Sequence, residues 1–177
     1  RGMDTGATPP MGDGLATNQA GILLAVSTAD CLPIVLIDPG SSAASVIHAG
    51  WGGSVLNIAK RAVLTMQGAY GSVPSDLVIG IGPGIGRCCF EVGGDVWQTI
   101  EKQYAYADAV ISGREGEKAR VDLKELNRLQ LIDAGVSSDQ IADLNLCTAC
   151  NPSLFHSYRR DKMKRGNLIS GAMIRSV

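Results

Sequence analysis

Thr28-Ala29-Asp30-Cys31, the apolar run Leu32 to Ile37, the turn Asp38-Pro39-Gly40-Ser41, a second apolar run and then His48-Ala49-Gly50-Trp51-Gly52-Gly53 read as one unit. Two β-type runs joined by a short Asp-Pro-Gly-Ser segment make a hairpin, with Pro39 fixing φ and Gly40 taking the positive φ of a type II turn. A turn centred between Pro39 and Gly40 sets Cys31 opposite His48. A thiol and an imidazole at that separation can share a metal or activate one another. The pairing depends on register, because a one-residue slip turns a side chain to the other face.

Upstream of the hairpin, residues 1–21 are rich in Gly, Thr, Pro and Asp, and Arg1 to Pro10 reads as loop. Ile22 to Ser27 reads as a short buried strand leading into the hairpin. Downstream, Val55, Ile58, Ala59, Ala62, Val63 and Met66 recur with helical period. Ser54 suits that helix as N-cap, and Gly68 or Gly71 suits it as stop. Asp76 to Gly82 reads as a strand, Val92 to Tyr104 as a helix and Ser112 to Lys118 as an exposed loop. A second capped helix starts at Asp122 and ends at Gly135, and strands follow at Ile141 to Cys147 and Leu168 to Ile174. No repeat, linker or low-complexity segment divides the chain, so residues 1–177 read as a single mixed domain.

Composition narrows the function classes. The chain is 45% hydrophobic and 19% charged, with a formal net charge of -1. That balance describes a folded protein without the basic field that nucleic acid requires, and no apolar run reaches the length of a membrane span. Five cysteines without a disulfide-like spacing, and no signal-like start, point to a reducing cytoplasm. Two histidines, His48 and His156, are too few for the several coppers of a multicopper oxidase.

A lone histidine in apolar surroundings is ordinarily a core residue, but the expected pairing with Cys31 favours a site role for His48. Asp30 caps or orients a neighbour. Cys147-x-x-Cys150 invites a zinc or redox reading, yet zinc needs two further ligands at a familiar spacing, and Asn151-Pro152 reads as a turn where a redox pair would open a helix. The pair therefore reads as structural, and so does Cys88-Cys89, since adjacent cysteines point apart. Gly82, Gly84 and Gly86 suit either a tight turn or, with Arg87, an anion cradle. Arg159 and Arg160 are either a solvated pair or a source of one inward guanidinium for an anion.

Five ordered motifs then carry a resemblance. Thr28-Ala29-Asp30-Cys31-Leu32-Pro33, His48-Ala49-Gly50-Trp51, Ile81-Gly82-Pro83 with Cys88-Cys89-Phe90-Glu91-Val92-Gly93, Asp122-Leu123 with Asn127, and Ser157-Tyr158-Arg159-Arg160-Asp161 span nearly the whole chain. Together they resemble the YfiH, or laccase-domain, family of purine nucleoside phosphorylases, also described as polyphenol oxidases. The resemblance implies an α+β fold, a mixed layered sandwich of β-sheets flanked by helices and related to the catalytic domain of cytotoxic necrotizing factors. It also implies one metal, usually zinc, held by two histidines and a cysteine.

Carried over by motif, the cysteine ligand is Cys31 and one histidine ligand is His48. The other histidine belongs to an upstream Gln-Val-His-Gly-like segment that these 177 residues do not contain. The expectation is an N-terminally truncated domain that binds little or no metal by itself. Gly52 stands where the family usually has Arg or Lys, so phosphate binding is expected to fall on Arg159, Arg160 or Arg87. The implied activity is zinc-dependent phosphorolysis of adenosine, inosine, guanosine and methylthioadenosine, with deamination of adenosine. Three alternatives stand beside it: a copper-dependent polyphenol oxidase, a metal-free hydrolase with Cys31 as nucleophile and His48 as base, and an inactive or merely interacting domain.

Overall fold

A computed structural model describes residues 11–175 of the chain; the loop expected over Arg1 to Pro10 lies outside the described residues. A five-stranded sheet dominates. It contains β1 (Gly14–Thr17), β3 (Leu32–Asp38), β4 (Ala43–Ala49), β5 (Val78–Ile81) and β9 (Ile141–Asp143) in the order β1-β4-β3-β5-β9, with only β9 parallel to its neighbour. The sheet is covered on both faces, which is why β3 and β4 read as continuous apolar runs. On one face Ile34, Leu36, Ala43 and Ile47 join the main core beneath α2 (Ile58–Tyr70) and α5 (Leu123–Asp133). On the other, Val35, Ile37, Ala44 and Val46 pack on the two-stranded ribbon of β2 (Leu23–Thr28) and β10 (Leu168–Met173).

A three-stranded sheet is separate from these two. It consists of β6 (Glu91–Gly93), β8 (Lys118–Val121) and β7 (Ile111–Glu115), and it packs on α3 (Gly94–Gln103), with α4 (Ala107–Val110) leading into β7. The layered α+β sandwich expected of the chain is therefore the one observed. The segment Ser112 to Lys118 is not the loop its composition suggests. It is a β7–β8 hairpin whose turn passes through Gly116 at φ +58, and most of β7 faces solvent, so no apolar alternation marks it.

The opening hairpin forms, with a shifted register. His48 faces Pro33, not Cys31. The Asp38 carboxylate lengthens the turn: its Oδ1 accepts from the amides of Gly40 at 2.8 Å and Ser41 at 3.1 Å, and the Ser41 hydroxyl donates to Oδ2 at 2.6 Å. Four residues, 39–42, then separate the strands, and Ser42 takes the positive φ of +50 expected of Gly40. An even-numbered shift preserves the face. Cys31, two residues before Pro33, stays on the side of the sheet that carries His48.

Ser54 is not a helix cap. Gly50 occupies that position for α1 (Trp51–Val55), and Asn57, at φ +61, separates α1 from α2. Gly71 ends α2 at φ +71 as expected, and Asp122 caps α5 by accepting from the Glu125 amide. Ser54 itself is buried in a polar knot: Asn127 Nδ2 donates to its Oγ at 2.8 Å, and Gln130 Nε2 donates to its carbonyl at 2.6 Å. Asn127 also donates to the Leu123 carbonyl, while its own Oδ1 has no partner among the described residues. Replacing Asn127 by Ala strands the partners of a buried donor but also removes that orphan oxygen. The expected loss is therefore about 1–2 kcal/mol in urea unfolding with an unchanged m-value, and an unaltered midpoint would show that the knot contributes nothing to stability.

Candidate active site

The connection from β2 to β3 is Ala29-Asp30-Cys31, and Asp30 is held in the left-handed region at φ +91. Its buried carboxylate accepts from the Thr148 hydroxyl at 2.5 Å through Oδ1 and from the Arg159 amide at 2.6 Å through Oδ2. Its carbonyl accepts from the Ile85 amide at 2.7 Å. The orienting role read for Asp30 is thus realised across three distant segments. Cys31 is carried to the end of the sheet, where it and His48 line the same cavity. Gly50 makes room for the thiol, since a Cβ there would lie 3.1 Å from Cys31 Sγ.

His48 has a second partner: its Nδ1 lies 3.0 Å from Asp13 Oδ1. The neighbouring Cys31 thiol, foremost, and the hydrogen bond with Asp13 raise the imidazole to about 9 against the opposing effect of burial. Asp13 at Nδ1 leaves Nε2 as the nitrogen available to a ligand. A carboxylate at one imidazole nitrogen is also how histidines that ligate metals are commonly oriented. A thiolate and an imidazole are donors that suit zinc, so the pair fits that metal chemically. The pair is incomplete by itself, because among the described residues it does not join a group of three potential ligands all within 4.8 Å of one another.

Cys31 and His48 line a cavity of about 520 Å³. Trp51, Ile85, Phe90, Leu123 and Tyr158 supply apolar surface, while Arg159, Lys162 and Arg165 line it with positive charge. The guanidinium of Arg159 lies 5.7 Å from the centre of the Phe90 ring, and one of its nitrogens donates to the Glu91 carbonyl at 2.9 Å. Two buried polar atoms of lining residues, Thr28 Oγ1 and Arg165 Nε, have no partner among the described residues. Such atoms are ordinarily satisfied by water or ligand.

Arg160 is placed differently. Its guanidinium donates to Asp161, to the carbonyls of Thr148 and Ala149 and to that of Phe155, so it clamps its own loop. Arg87 donates to the Ala109 carbonyl at 2.7 Å and lies 3.3 Å from Asp122 Oδ2, outside the cavity. The glycine-rich loop is no open anion cradle either. The Gly82 amide donates to the Pro33 carbonyl and the Gly86 amide to Cys147 Sγ, and a Cβ on Gly82 would meet Pro33 Cγ at 2.8 Å. These glycines serve close packing.

Four cysteines and three charged residues are brought together by tertiary structure alone. Cys88, Cys89, Cys147 and Cys150 gather with all four sulfurs within 4.8 Å of one another, although the sequence offered no second pair of ligands for Cys147-x-x-Cys150. Adjacent cysteines diverge on an extended chain. Here residues 86–89 form a turn, with the Cys89 and Phe90 amides both bonded to the Gly86 carbonyl, and both thiols reach one side. Asp13 was missed because a lone Asp in a glycine-flanked loop carries no signal. Lys162 and Arg165 were visible only as part of a basic run after Asp161, with nothing to tell which charges face inward.

The comparisons with known proteins agree on kinship. The family model described as multi-copper polyphenol oxidoreductase laccase matches residues 2–175. The purine nucleoside phosphorylase YlmD of Bacillus subtilis is 40% identical over 158 residues, covering 89% of this chain and 57% of that protein. Adenosine deaminase RL5, from an unknown prokaryotic organism, is 37% identical over 160 residues, covering 90% of this chain and 61% of its own length. The crystal structure of the hypothetical protein YfiH of Bacillus licheniformis superposes with a TM-score of 0.89 at 38% identity, covering 92% of this chain and 61% of that one. The chain thus spans somewhat under two-thirds of the length of these relatives. It belongs to the laccase-domain family, the one that contains YfiH and YlmD.

Proposed function

We propose that this chain carries most of the active site of a zinc-dependent purine nucleoside phosphorylase that also deaminates adenosine, with Cys31 and His48 as two of the zinc ligands. The observation that carries the reading is the cavity itself: a thiol–imidazole pair and a group of cations line the same 520 Å³ space. The names of the relatives support both activities. Zinc bound there would acidify a water for attack on the purine ring. Asp13 holds the His48 ring through Nδ1 and fixes its tautomer. Adenosine, inosine, guanosine and methylthioadenosine are the candidate substrates.

Phosphorolysis needs a phosphate oxygen set against the anomeric carbon of the ribose while the glycosidic bond to the purine breaks. The barrier falls mainly through positioning. Arg159, Lys162 and Arg165 are the cations that can hold that phosphate, and the Arg159 head is kept in place by Phe90 and the Glu91 carbonyl. Arg160, committed to its own loop, acts by shaping that loop. A copper-dependent phenol oxidase remains the second reading, favoured by the family model's description and by the affinity of thiolate and imidazole for copper. Metal analysis together with nucleoside and phenol assays separates the two.

In the intact protein, Cys31→Ala should abolish both metal at this site and nucleoside turnover; turnover retained without metal would sink the zinc reading and, with it, the metal-free hydrolase in which Cys31 is the nucleophile. Arg159→Ala should raise the KM for phosphate in inosine phosphorolysis by roughly 10- to 100-fold, as expected for loss of a charge-assisted contact, and leave phosphate-independent deamination of adenosine nearly unchanged. Equal loss of both activities would contradict a phosphate-holding role. Asp13→Ala should weaken zinc binding by about 10- to 100-fold in a chelator competition, and unchanged affinity would remove Asp13 from the site.

A further inference from the structure

The four cysteines outside the cavity form a site that the nucleoside chemistry does not use. Cys88 and Cys89 come from the turn after β5, and Cys147 and Cys150 from the loop after β9. Cys150 Sγ lies 3.5 Å from Cys88 Sγ and 3.4 Å from Cys89 Sγ, and all four sulfurs fall within 4.8 Å of one another. Sulfurs around a tetrahedral zinc, bonded at about 2.3 Å, stand about 3.8 Å apart. The observed spacing brackets that value. It is also too close for a polynuclear iron–sulfur cluster, whose own atoms would separate the ligand sulfurs.

The surroundings are built for thiolates. The Gly86 amide donates to Cys147 Sγ at 3.2 Å, the kind of amide–sulfur contact that steadies a ligating thiolate. Gly86 is itself needed for the approach, since a Cβ there would lie 3.1 Å from Cys147 Cβ and 3.3 Å from Cys88 Sγ. The two loops are joined by backbone bonds from the Gly84 amide to Leu146 and from the Thr148 amide to Gly84. Asn151 Nδ2 caps the Cys147 carbonyl at 2.8 Å, and Arg120 donates to the Cys88 carbonyl. Four thiols are a costly thing to crowd together without a common partner, because S–H is a weak donor and S a weak acceptor.

We propose that Cys88, Cys89, Cys147 and Cys150 bind one structural zinc ion, distinct from the zinc proposed at Cys31 and His48. Binding forms four Zn–S bonds and releases to solvent the protons of whichever thiols were protonated, with no change of oxidation state. Four protein ligands close the coordination sphere, so the ion holds structure and performs no chemistry. What it holds is the cavity. Ile85 and Phe90, on either side of the first turn, line the cavity, and Thr148, between Cys147 and Cys150, donates to Asp30.

The test uses the intact protein carrying Cys31→Ala, which lacks the other proposed site. After purification with zinc present it should retain one zinc per chain, and X-ray absorption should show sulfur-only coordination at about 2.3 Å. Cobalt exchange should give intense thiolate-to-cobalt charge transfer with tetrahedral d–d bands. Adding Cys147→Ser and Cys150→Ser should remove that zinc equivalent; if this variant does not fold, the absorption and cobalt spectra of the Cys31→Ala protein decide. Absence of zinc from the Cys31→Ala protein, nitrogen or oxygen in its coordination sphere, iron in place of zinc, or a metal-free disulfide among the four cysteines would each overturn the assignment.

Discussion

The buried carboxylate of Asp30 is the constraint on which the site depends. A charge taken out of water is tolerated only when hydrogen bonds replace those it loses. Asp30 obtains them from Thr148 and from the amide of Arg159, more than a hundred residues further along the chain. The same residue accepts from Ile85 through its carbonyl and adopts a left-handed backbone that few non-glycine residues tolerate. Each of these facts by itself would be unfavourable or neutral. Together they force the β2–β3 connection, the glycine-rich turn, the second cysteine loop and the Ser157–Asp161 segment to meet at one point, with Cys31 next in sequence.

That meeting point explains how a pair of residues can form a site without being paired in the sheet. Cys31 lies before the first residue of β3, and His48 is matched with Pro33. They become neighbours because both lie on the ribbon-facing side at the same end of the hairpin. The ribbon strand β2, which delivers Ser27 and Thr28 to the cavity, leads straight into Asp30. Burial of both faces of the sheet suppresses slippage by one residue, which would exchange the two apolar sets of β3 and β4. Turn chemistry at Asp38 then decides among the registers that remain.

What could be read from the sequence follows from these physical facts. β3, β4, α2 and α5 were legible because each places apolar residues on a buried face at a fixed period, and Gly71 and Asp122 mark ends by local chemistry alone. The β7–β8 hairpin was not legible, since β7 buries little beyond Ile111 and shows no alternation. The register erred by two because Asp38 recruits two amides into its turn, a choice that depends on side-chain geometry more than on residue type. Cys31 and His48, singled out by motif and by an expected pairing, do line one cavity. Asp13, Thr28 and Arg165 were not foreseen there, because their relation to the cavity is wholly tertiary.

The cysteines show the same distinction most sharply. An odd count without a disulfide spacing and two pairs read separately gave no sign of a shared site, yet the cysteines divide into one thiol at the cavity and four in a cluster. Local rules failed for Cys88-Cys89 because a turn reverses the divergence that an extended chain imposes on adjacent side chains. They failed for Cys147-x-x-Cys150 because its companions lie about sixty residues earlier, brought close by the parallel pairing of Gly84 with Cys147. That pairing extends the β5–β9 ladder past the sheet edge, so the strand order that builds the core also gathers the sulfurs. The cluster is thus a consequence of the topology, and the turn that carries Cys88 and Cys89 lies between two residues of the cavity lining, Ile85 and Phe90.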